Sequence, residues 1–405
     1  MSEAVIVATA RSPIGRAFKG SLKDVRPDDL ATQMVQAVLA KVPQLDPGEI
    51  DDLMLGCGMP GGSAGYNIAR VVAVLAGMDH LPGTTVNRYC ASSLQTTRMA
   101  MHAIKAGEGD VFVSAGVETV SQQVKGSSDG LPDSMNPVFT PSQARSEEIA
   151  KGVRDWVDPR EEGLLPDVYL AMGLTAENVA RLCGISRADQ DEFAVRSQNR
   201  TEKAIAEGFW GRAITPVNLA DGTVVSRDDS PRPGVTVEAV AALKPAFRPD
   251  GTVTAGNACP MSDGAAALVV MSDTKARELG VTPLARVVST AATALSPEIM
   301  GLGPVEATRR ALARAGMTID DMDLVEINEA FAAQVIPSAR QLGVDEEKLN
   351  VHGGAIALGH PYGMTGARIT STLIDSLQHL DKQVGLETMC VGGGQGMAMV
   401  LERLA

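Results

Sequence analysis

Aromatic side chains are scarce in this 405-residue chain: two Trp, four Tyr and seven Phe make up 3% of it. Its core must therefore be filled by Ala, Val, Leu, Ile and Met. That suits closely packed helix and sheet layers better than an aromatic-anchored β-sandwich. Basic charge is also short. Lys and Arg number 36 against 49 Asp and Glu, a formal net charge of −13, and a global field of that sign argues against nucleic acid as a partner. No run of eighteen residues is both apolar and uncharged, so the sequence offers no membrane-spanning helix. The opening MSEAVIVATARSPIGR lacks the basic and long apolar regions of a secretory leader, and a cytoplasmic protein is expected. The five cysteines (Cys57, Cys90, Cys183, Cys259, Cys390) are odd in number, scattered, and show neither C-x-x-C nor zinc spacing. They predict free thiols in a reducing compartment and no metal site.

Glycine, by contrast, is abundant at 41 residues, and hydrophobic residues reach 44%, enough for a sizeable core. At roughly 150 residues per domain the length suggests two or three domains. Strand and helix patterns alternate over the first 120 residues. Ala4–Ala10 reads as a buried strand, Leu30, Met34, Val35, Val38 and Leu39 recur at helical spacing after Pro27-Asp28-Asp29, and DDLMLG and DVFVSAG read as further strands. Short apolar strands between helices predict an α/β fold whose sheets are covered on both faces. From 121 to 247 the texture changes to loop-rich segments such as DSMNPVFTPSQ and DDSPRPG around two polar helical runs. Such a stretch reads as an insertion over a site.

A faint internal repeat matches Ile50-Asp51-Asp52 with Ile319-Asp320-Asp321 and sets Cys90 against Gly359, beside His360. Each lies just before a long helical pattern, and DGAAALVVMSD resembles QGMAMVLERL. Two related halves, the first carrying the insertion, would bring equivalent helix starts face to face.

Four segments carry candidate chemistry. In VNRYCASS, Cys90 stands at a helix start, where the backbone dipole favours thiolate over thiol; read alone, it is equally a small buried hydrophobe. In GGAIALGHPYGMTGAR, His360 precedes a glycine-rich helix start and is suited to taking a proton from a thiol, or is a structural histidine. His352, eight residues earlier, makes no ligand pair with it. Cys390 precedes the glycines of CVGGGQG, which read as allowing backbone N–H groups to approach a ligand. Asn328 and Glu329 sit at a strand-to-helix junction, where Asn is also a common cap.

Together these segments resemble the thiolase family, the acetyl-CoA acetyltransferases and 3-ketoacyl-CoA thiolases. VNRYCASS, NEAF, GGAIALGHP and CVGGGQG are similar to its four active-site motifs, and AGVETVS, MGLTAENVA, GNACPMSDGAAA and MGLGP match further landmarks in order along the whole chain. The resemblance implies a five-layered αβαβα fold of two similar halves with a loop domain inserted in the first. Residues 1–120, completed by about 248–273, would form the N-terminal half, 121–247 the inserted domain and 274–405 the C-terminal half. It also implies thiolytic cleavage of 3-ketoacyl-CoA to acetyl-CoA and a shortened acyl-CoA, or the reverse Claisen condensation, by a ping-pong route. Cys90 would be the nucleophile and Cys390 the acid/base on the α-carbon. His360 would activate Cys90 and, with a water held by Asn328, form one oxyanion hole, while the backbone N–H groups of Cys90 and Gly392 would form the second. Met172, Arg232, Ala255, Cys259 and Met300 match positions lining the coenzyme A or acyl channel. No tightly bound cofactor is implied, coenzyme A and acetyl-CoA being substrates, and relatives are usually homodimers or homotetramers.

Tyr89, Ala171, Cys259, Tyr362 and Met364 depart from common family residues, which weakens any claim to acetoacetyl-CoA specificity. A decarboxylating ketosynthase would pair its cysteine with two histidines, or with His and Asn, and lack Cys390. A non-catalytic acyl-CoA carrier would need neither cysteine, and a cysteine hydrolase would have no use for Cys390. Because coenzyme A is itself a polyanion, the acidic chain should hold a local basic patch, with Arg227 and Arg232 as candidates and Lys244 and Arg248 nearby. Trp156 and Tyr169 are candidates for shaping the acyl pocket.

Overall fold

In the computed structural model, which describes residues 2–123, 131 and 133–405, the apolar runs become twelve strands: β1 (Ala4–Arg11), β2 (Gly15–Arg16), β3 (Asp52–Gly56), β4 (Gly83–Val86), β5 (Val111–Thr119), β6 (Val217–Asn218), β7 (Val224–Val225), β8 (Ser262–Ser272), β9 (Ala285–Ala294), β10 (Leu324–Ile327), β11 (Val384–Val391) and β12 (Gln395–Arg403). β6 and β7 pair only with each other. The rest form one ten-stranded sheet in the order β10-β11-β12-β9-β1-β8-β5-β3-β4, with β2 beside β8. Its two parts are built alike. In the first, β3 runs parallel to β4 and β5, and β8 is antiparallel to β5 and β1. In the second, β10 and β11 are parallel, and β12 is antiparallel to β11 and β9. Among the described residues, the strand pairing that joins these two parts of the sheet is that of Val5 and Ile6 of β1 with Arg286 and Ala285 of β9.

β1, β5 and β8 are buried at every position, which explains why they read as continuous apolar runs rather than alternating ones. Alternation survives as a choice between two buried faces. Val5, Val7, Leu53, Leu55, Val269 and Met271 pack with Leu30, Val35 and Val72 of the outer helices Pro27–Ala40 and Ile68–Leu75. Ile6, Met54, Leu268, Val270, Met397 and Met399 face a central layer made by Leu94 and Ile104 of helix Ser92–Ala106 and Leu373 and Leu377 of helix Tyr362–His379. Ala398 and Val400 point the other way, toward Ala307 and Ala311 of helix Gly303–Ala315. The order is helix, sheet, helix, sheet, helix, the five layers expected.

The repeat is present, but its register differs from the identity match. Short helical turns Pro47–Glu49 and Ile319–Asp321 occupy equivalent places. After them, the Asp51 carboxylate accepts from the N–H groups of Asp110 (2.7 Å) and Val111 (2.9 Å), and the Asp323 carboxylate from those of Gln383 and Val384 (both 2.9 Å). Asp51 thus corresponds to Asp323, not to Asp320. The Ile-Asp-Asp triplets match in letters while lying at different points of the turn.

The segment after β5 contributes helices Thr140–Ala150, Met172–Leu182 and Arg187–Ala206; residues 124–130 and 132 of the expected insertion lie outside the described residues. One buried carboxylate fastens this segment to the second half. Glu298 accepts from Arg145 Nη2 (3.0 Å), Trp156 Nε1 (2.6 Å) and the Asp167 N–H (2.7 Å). Trp156 is therefore an anchor of the insertion. Tyr169 likewise holds a loop: its hydroxyl accepts from the Asn136 N–H (3.1 Å) and its ring meets Phe139 edge-on at 5.4 Å. Among the described residues no helix is long and apolar enough to cross a membrane.

Candidate active site

Cys90 occupies a single helical turn, Tyr89–Ala91, that leads directly into helix Ser92–Ala106. The turn is pinned locally. Ser92 Oγ accepts from the Arg88 N–H (2.9 Å) and donates to the Tyr89 carbonyl (2.7 Å), and the Tyr89 N–H donates to Asn87 Oδ1 (2.8 Å). Tyr89 has a φ of +43°, a left-handed conformation costly for a bulky residue and typical of strained functional loops. It projects Cys90, only 9% exposed, toward the second half of the molecule.

That half presents the end of β11, with Cys390 fully buried, and the tight turn that connects Val391 to Gln395. The Gly392 N–H acts on the Cys90 thiol across this junction, favouring its ionised form. A side chain at Gly392 would come within 3.3 Å of the Tyr89 ring and 3.7 Å of the Met172 sulfur, a tight fit that glycine relieves. Gly396 has another purpose: a Cβ there would meet the Gly303 carbonyl at 1.9 Å. It is a packing contact between β12 and helix Gly303–Ala315, not part of a ligand nest as its sequence context implied.

His360 is almost fully buried. Its Nδ1 lies 2.6 Å from Thr365 Oγ1, whose proton is directed to the Pro361 carbonyl (2.7 Å). The hydroxyl is thus the acceptor of an Nδ1–H, and Nε2 carries the lone pair. Asn328 Nδ2 lies 3.3 Å from that Nε2. Asn328 is itself held by its backbone N–H on the Thr388 carbonyl (3.0 Å) and by Gln334 Nε2 on its own carbonyl (2.8 Å). Its neighbour Glu329 turns away, accepting from Ser197 Oγ (2.6 Å), Asn350 Nδ2 (2.9 Å) and the Ile356 N–H (3.1 Å). Glu329 ties the insertion to the His360 loop and is structural.

The helix start at Cys90 led to the expectation of a stabilised thiolate; burial reverses it. Burial pushes the Cys90 thiol up to about 11 despite the Gly392 N–H. Cys259 is pushed up to about 12 by burial and by Cys90, and Cys390 is raised by burial and by both other thiols. Burial, and then the Arg368 charge, takes His360 down to about 3. The resting groups are therefore neutral thiols and a neutral imidazole, suited to moving a proton as bonds change rather than to storing a thiolate–imidazolium ion pair.

The other candidates divide by placement. Met172 opens its helix beside Gly392. Cys259 is half-buried, its N–H on the Ala330 carbonyl (3.1 Å). Met300 is sealed in the same buried cluster as Cys390, whereas Ala255, Arg227, Arg232 and Lys244 are exposed. Arg248 is buried and pairs with Asp250 at 3.3 Å, which removes it from the proposed basic patch. His352 stacks on Phe209 at 3.8 Å and bonds Ser376 Oγ (2.8 Å), a core histidine.

Sequence reasoning missed Glu118 and Arg368. Glu118, fully buried at the end of β5, accepts from the N–H groups of Gly58 (2.8 Å) and Gly363 (3.0 Å) and so joins the halves behind Cys90; burial raises it to about 7. The signal available was a carboxylate inside the otherwise apolar run AGVETV.

The thiolase N-terminal domain pattern matches residues 4–274 and the thiolase C-terminal domain pattern residues 281–403. The chain belongs to the thiolase family. As a thiolase it is an acyltransferase. It is 44% identical over 415 residues to a 3-ketoacyl-CoA thiolase of Bacillus subtilis (strain 168), covering 99% of this chain and 100% of that one. A 3-ketoacyl-CoA thiolase of Aeromonas salmonicida (strain A449) is also 44% identical, over 413 residues and the full length of both. Among solved structures, the thiolase resembles the Bacillus anthracis acetyl-CoA acetyltransferase (TM-score 0.86, 38% identity, 100% of this chain and 99% of that one). It also resembles the dimeric peroxisomal thiolase of Saccharomyces cerevisiae (TM-score 0.88, 34% identity, 99% and 97%).

Proposed function

We propose that this thiolase cleaves 3-ketoacyl-CoA with free coenzyme A, and runs the reverse condensation, through an acyl group carried on Cys90. The observation that carries the reading is the convergence of the Cys90 sulfur, the Gly392 N–H, the electrostatically coupled Cys390 and Cys259 thiols and the His360–Asn328 pair from opposite halves. His360 Nε2 takes the Cys90 proton as the sulfur attacks the 3-keto carbon. The N–H groups of Cys90 and Gly392 stabilise the resulting oxyanion, at about 3–4 kcal/mol for a well-placed donor. Breaking the C2–C3 bond then releases an acetyl-CoA enolate, held on the His360–Asn328 side and protonated at C2 by Cys390. A second coenzyme A thiol, giving its proton to the Cys390 thiolate, attacks the acyl-Cys90 thioester; the acyl–sulfur bond breaks and the Cys90 sulfur takes back the proton held on His360, which frees the enzyme.

Coenzyme A is thus a substrate, and no tightly bound cofactor takes part. The division into 1–120 with 248–273, 121–247 and 274–405 is part of the same proposal, as are Met172, Ala255, Cys259 and Met300 along the channel and Arg232 with Arg227 and Lys244 at the phosphates. Assembly as a homodimer or homotetramer and residence in the cytoplasm, in fatty acid β-oxidation, complete it. Two cysteines that sense each other's charge support this over a non-catalytic carrier, and Cys390 in place of a second histidine supports it over a ketosynthase.

The test is incubation with 3-ketoacyl-CoAs of graded chain length plus free coenzyme A. Loss of the ketoacyl species with equimolar acetyl-CoA is expected, and no turnover across the panel would remove the reading.

A further inference from the structure

Arg368, on helix Tyr362–His379, is almost wholly buried, and its Nε and Nη1 meet no hydrogen-bond acceptor. Among the described residues it makes no ion pair within 4.0 Å, although the charges of Glu326, Glu329, Asp228 and Arg11 all act on it. A buried guanidinium left so incompletely paired is costly. Its hydrogen bond runs from Nη2 to Asn328 Oδ1, at 3.4 Å, and Asn328 Nδ2 lies 3.3 Å from His360 Nε2.

A carboxamide has an acceptor end and a donor end of nearly equal size, and only its partners decide which way it faces. Guanidinium nitrogens only donate, so beside Arg368 the Oδ1 end is attracted and the Nδ2 end repelled. The amide is thereby turned with its donor toward the reacting groups. Flipped, it would present an oxygen lone pair to a developing oxyanion and raise the barrier it should lower. The cation also opposes protonation of His360, keeping the imidazole a base.

We propose that Arg368 is a positioning residue for catalysis, fixing the Asn328 carboxamide donor-first toward His360 and the oxyanion site. The proposal rests on His360 and Asn328 serving the reaction as set out above. The charged and titratable groups facing this assembly are Arg11 on β1, Asp228, Glu326 on β10, Glu387 on β11, Glu329 after β10, Tyr362 on the helix of Arg368, and the thiols Cys90, Cys259 and Cys390.

The experiment compares R368M, R368K, N328A and N328A/R368M in the full chain, reading kcat, KM for coenzyme A and the pH profile of kcat, with thermal melting as a folding check. For R368M we expect kcat to fall about 100-fold, the scale of a misaligned catalytic group, with KM within about twofold. Its acidic limb should move to higher pH, because loss of the cation lets His360 protonate more readily. R368K keeps the charge, so its limb should stay in place while kcat falls about tenfold for want of the planar fork. The double variant should lose no more than about threefold beyond N328A, since the two residues act in series. Wild-type kcat in R368M, or in R368K if R368M does not fold, overturns the proposal, and so does a double-variant loss equal to the product of the single losses. H360A runs alongside: if it keeps full turnover the underlying reading fails, whereas an inactive H360A with a fully active R368M removes only the positioning role.

Discussion

At Asp51 and at Asp323 a carboxylate closes the same pair of backbone N–H groups, after a helical turn of the same length. At the far ends of the strands that follow, the halves no longer match. β5 runs out into the insertion, with Glu118 near its tip, while β11 ends beside Cys390 and turns back through glycines. The loop before helix Ser92–Ala106 carries Cys90, the proposed nucleophile, and the loop before helix Tyr362–His379 carries His360, the proposed base. The likeness lies where strands are capped and sheets are packed. The difference lies at the loops and helix starts, where side chains change without disturbing the frame. A duplicated scaffold thus brings two unlike sets of reactive groups together across its own pseudo-symmetry.

Separating the halves chemically is the sharpest way to test this comparison. Cys90→Ser, in the first half, should cut turnover by a factor on the order of 10⁴ while leaving the melting temperature nearly unchanged; a variant turning over at the wild-type rate breaks the assignment. Cys390→Ala, in the second half, should lower turnover by roughly 10²–10³-fold yet still let acetyl-CoA acylate Cys90, seen as a mass increase on the protein. Exchange of the acetyl-CoA methyl protons into heavy water should stop, and undiminished exchange would take Cys390 out of that role.

Glu118 spans the halves, so its variant reports on their junction. The folded protein holds this carboxyl near 7 against 4.5 for an ordinary Glu, so the folded state binds the extra proton. Stability from that source is present below pH 4.5 and is lost as pH rises through 7, amounting to about 3 kcal/mol. Glu118→Gln should flatten that decline, as measured by urea midpoints from pH 4.5 to 8; parallel curves for the two proteins would show that burial of Glu118 is not the source. The smallest effect is expected on the insertion. Arg232→Ala should raise KM for coenzyme A about three- to tenfold, the size of one partly exposed charge contact, without changing the acylated fraction. An unchanged KM would move the phosphate site elsewhere on the exposed surface.

Much of this architecture was legible because short apolar runs, helix starts and the paired halves leave their mark directly in the sequence. Cys90, His360, Cys390 and Asn328 each sit at a junction the sequence marks. Glu118, Arg368 and Glu298 were not legible, because their partners (Gly363, Asn328 and Trp156) are far away along the chain and only packing selects them. The charge state of the thiols was misjudged for the same reason. A helix start is visible in sequence, while the burial that outweighs its dipole is not.

The first strand, Ala4–Arg11, lies in the middle of the sheet with both neighbours, β8 and β9, more than 250 residues away in sequence. During synthesis at about 5–20 residues per second it waits roughly 15–60 s for them. Through that interval an apolar strand stands ready to pair with any passing edge. The segment made first can therefore complete its pairing only after residue 294 has emerged, and chaperone capture of nascent chains should peak before that point.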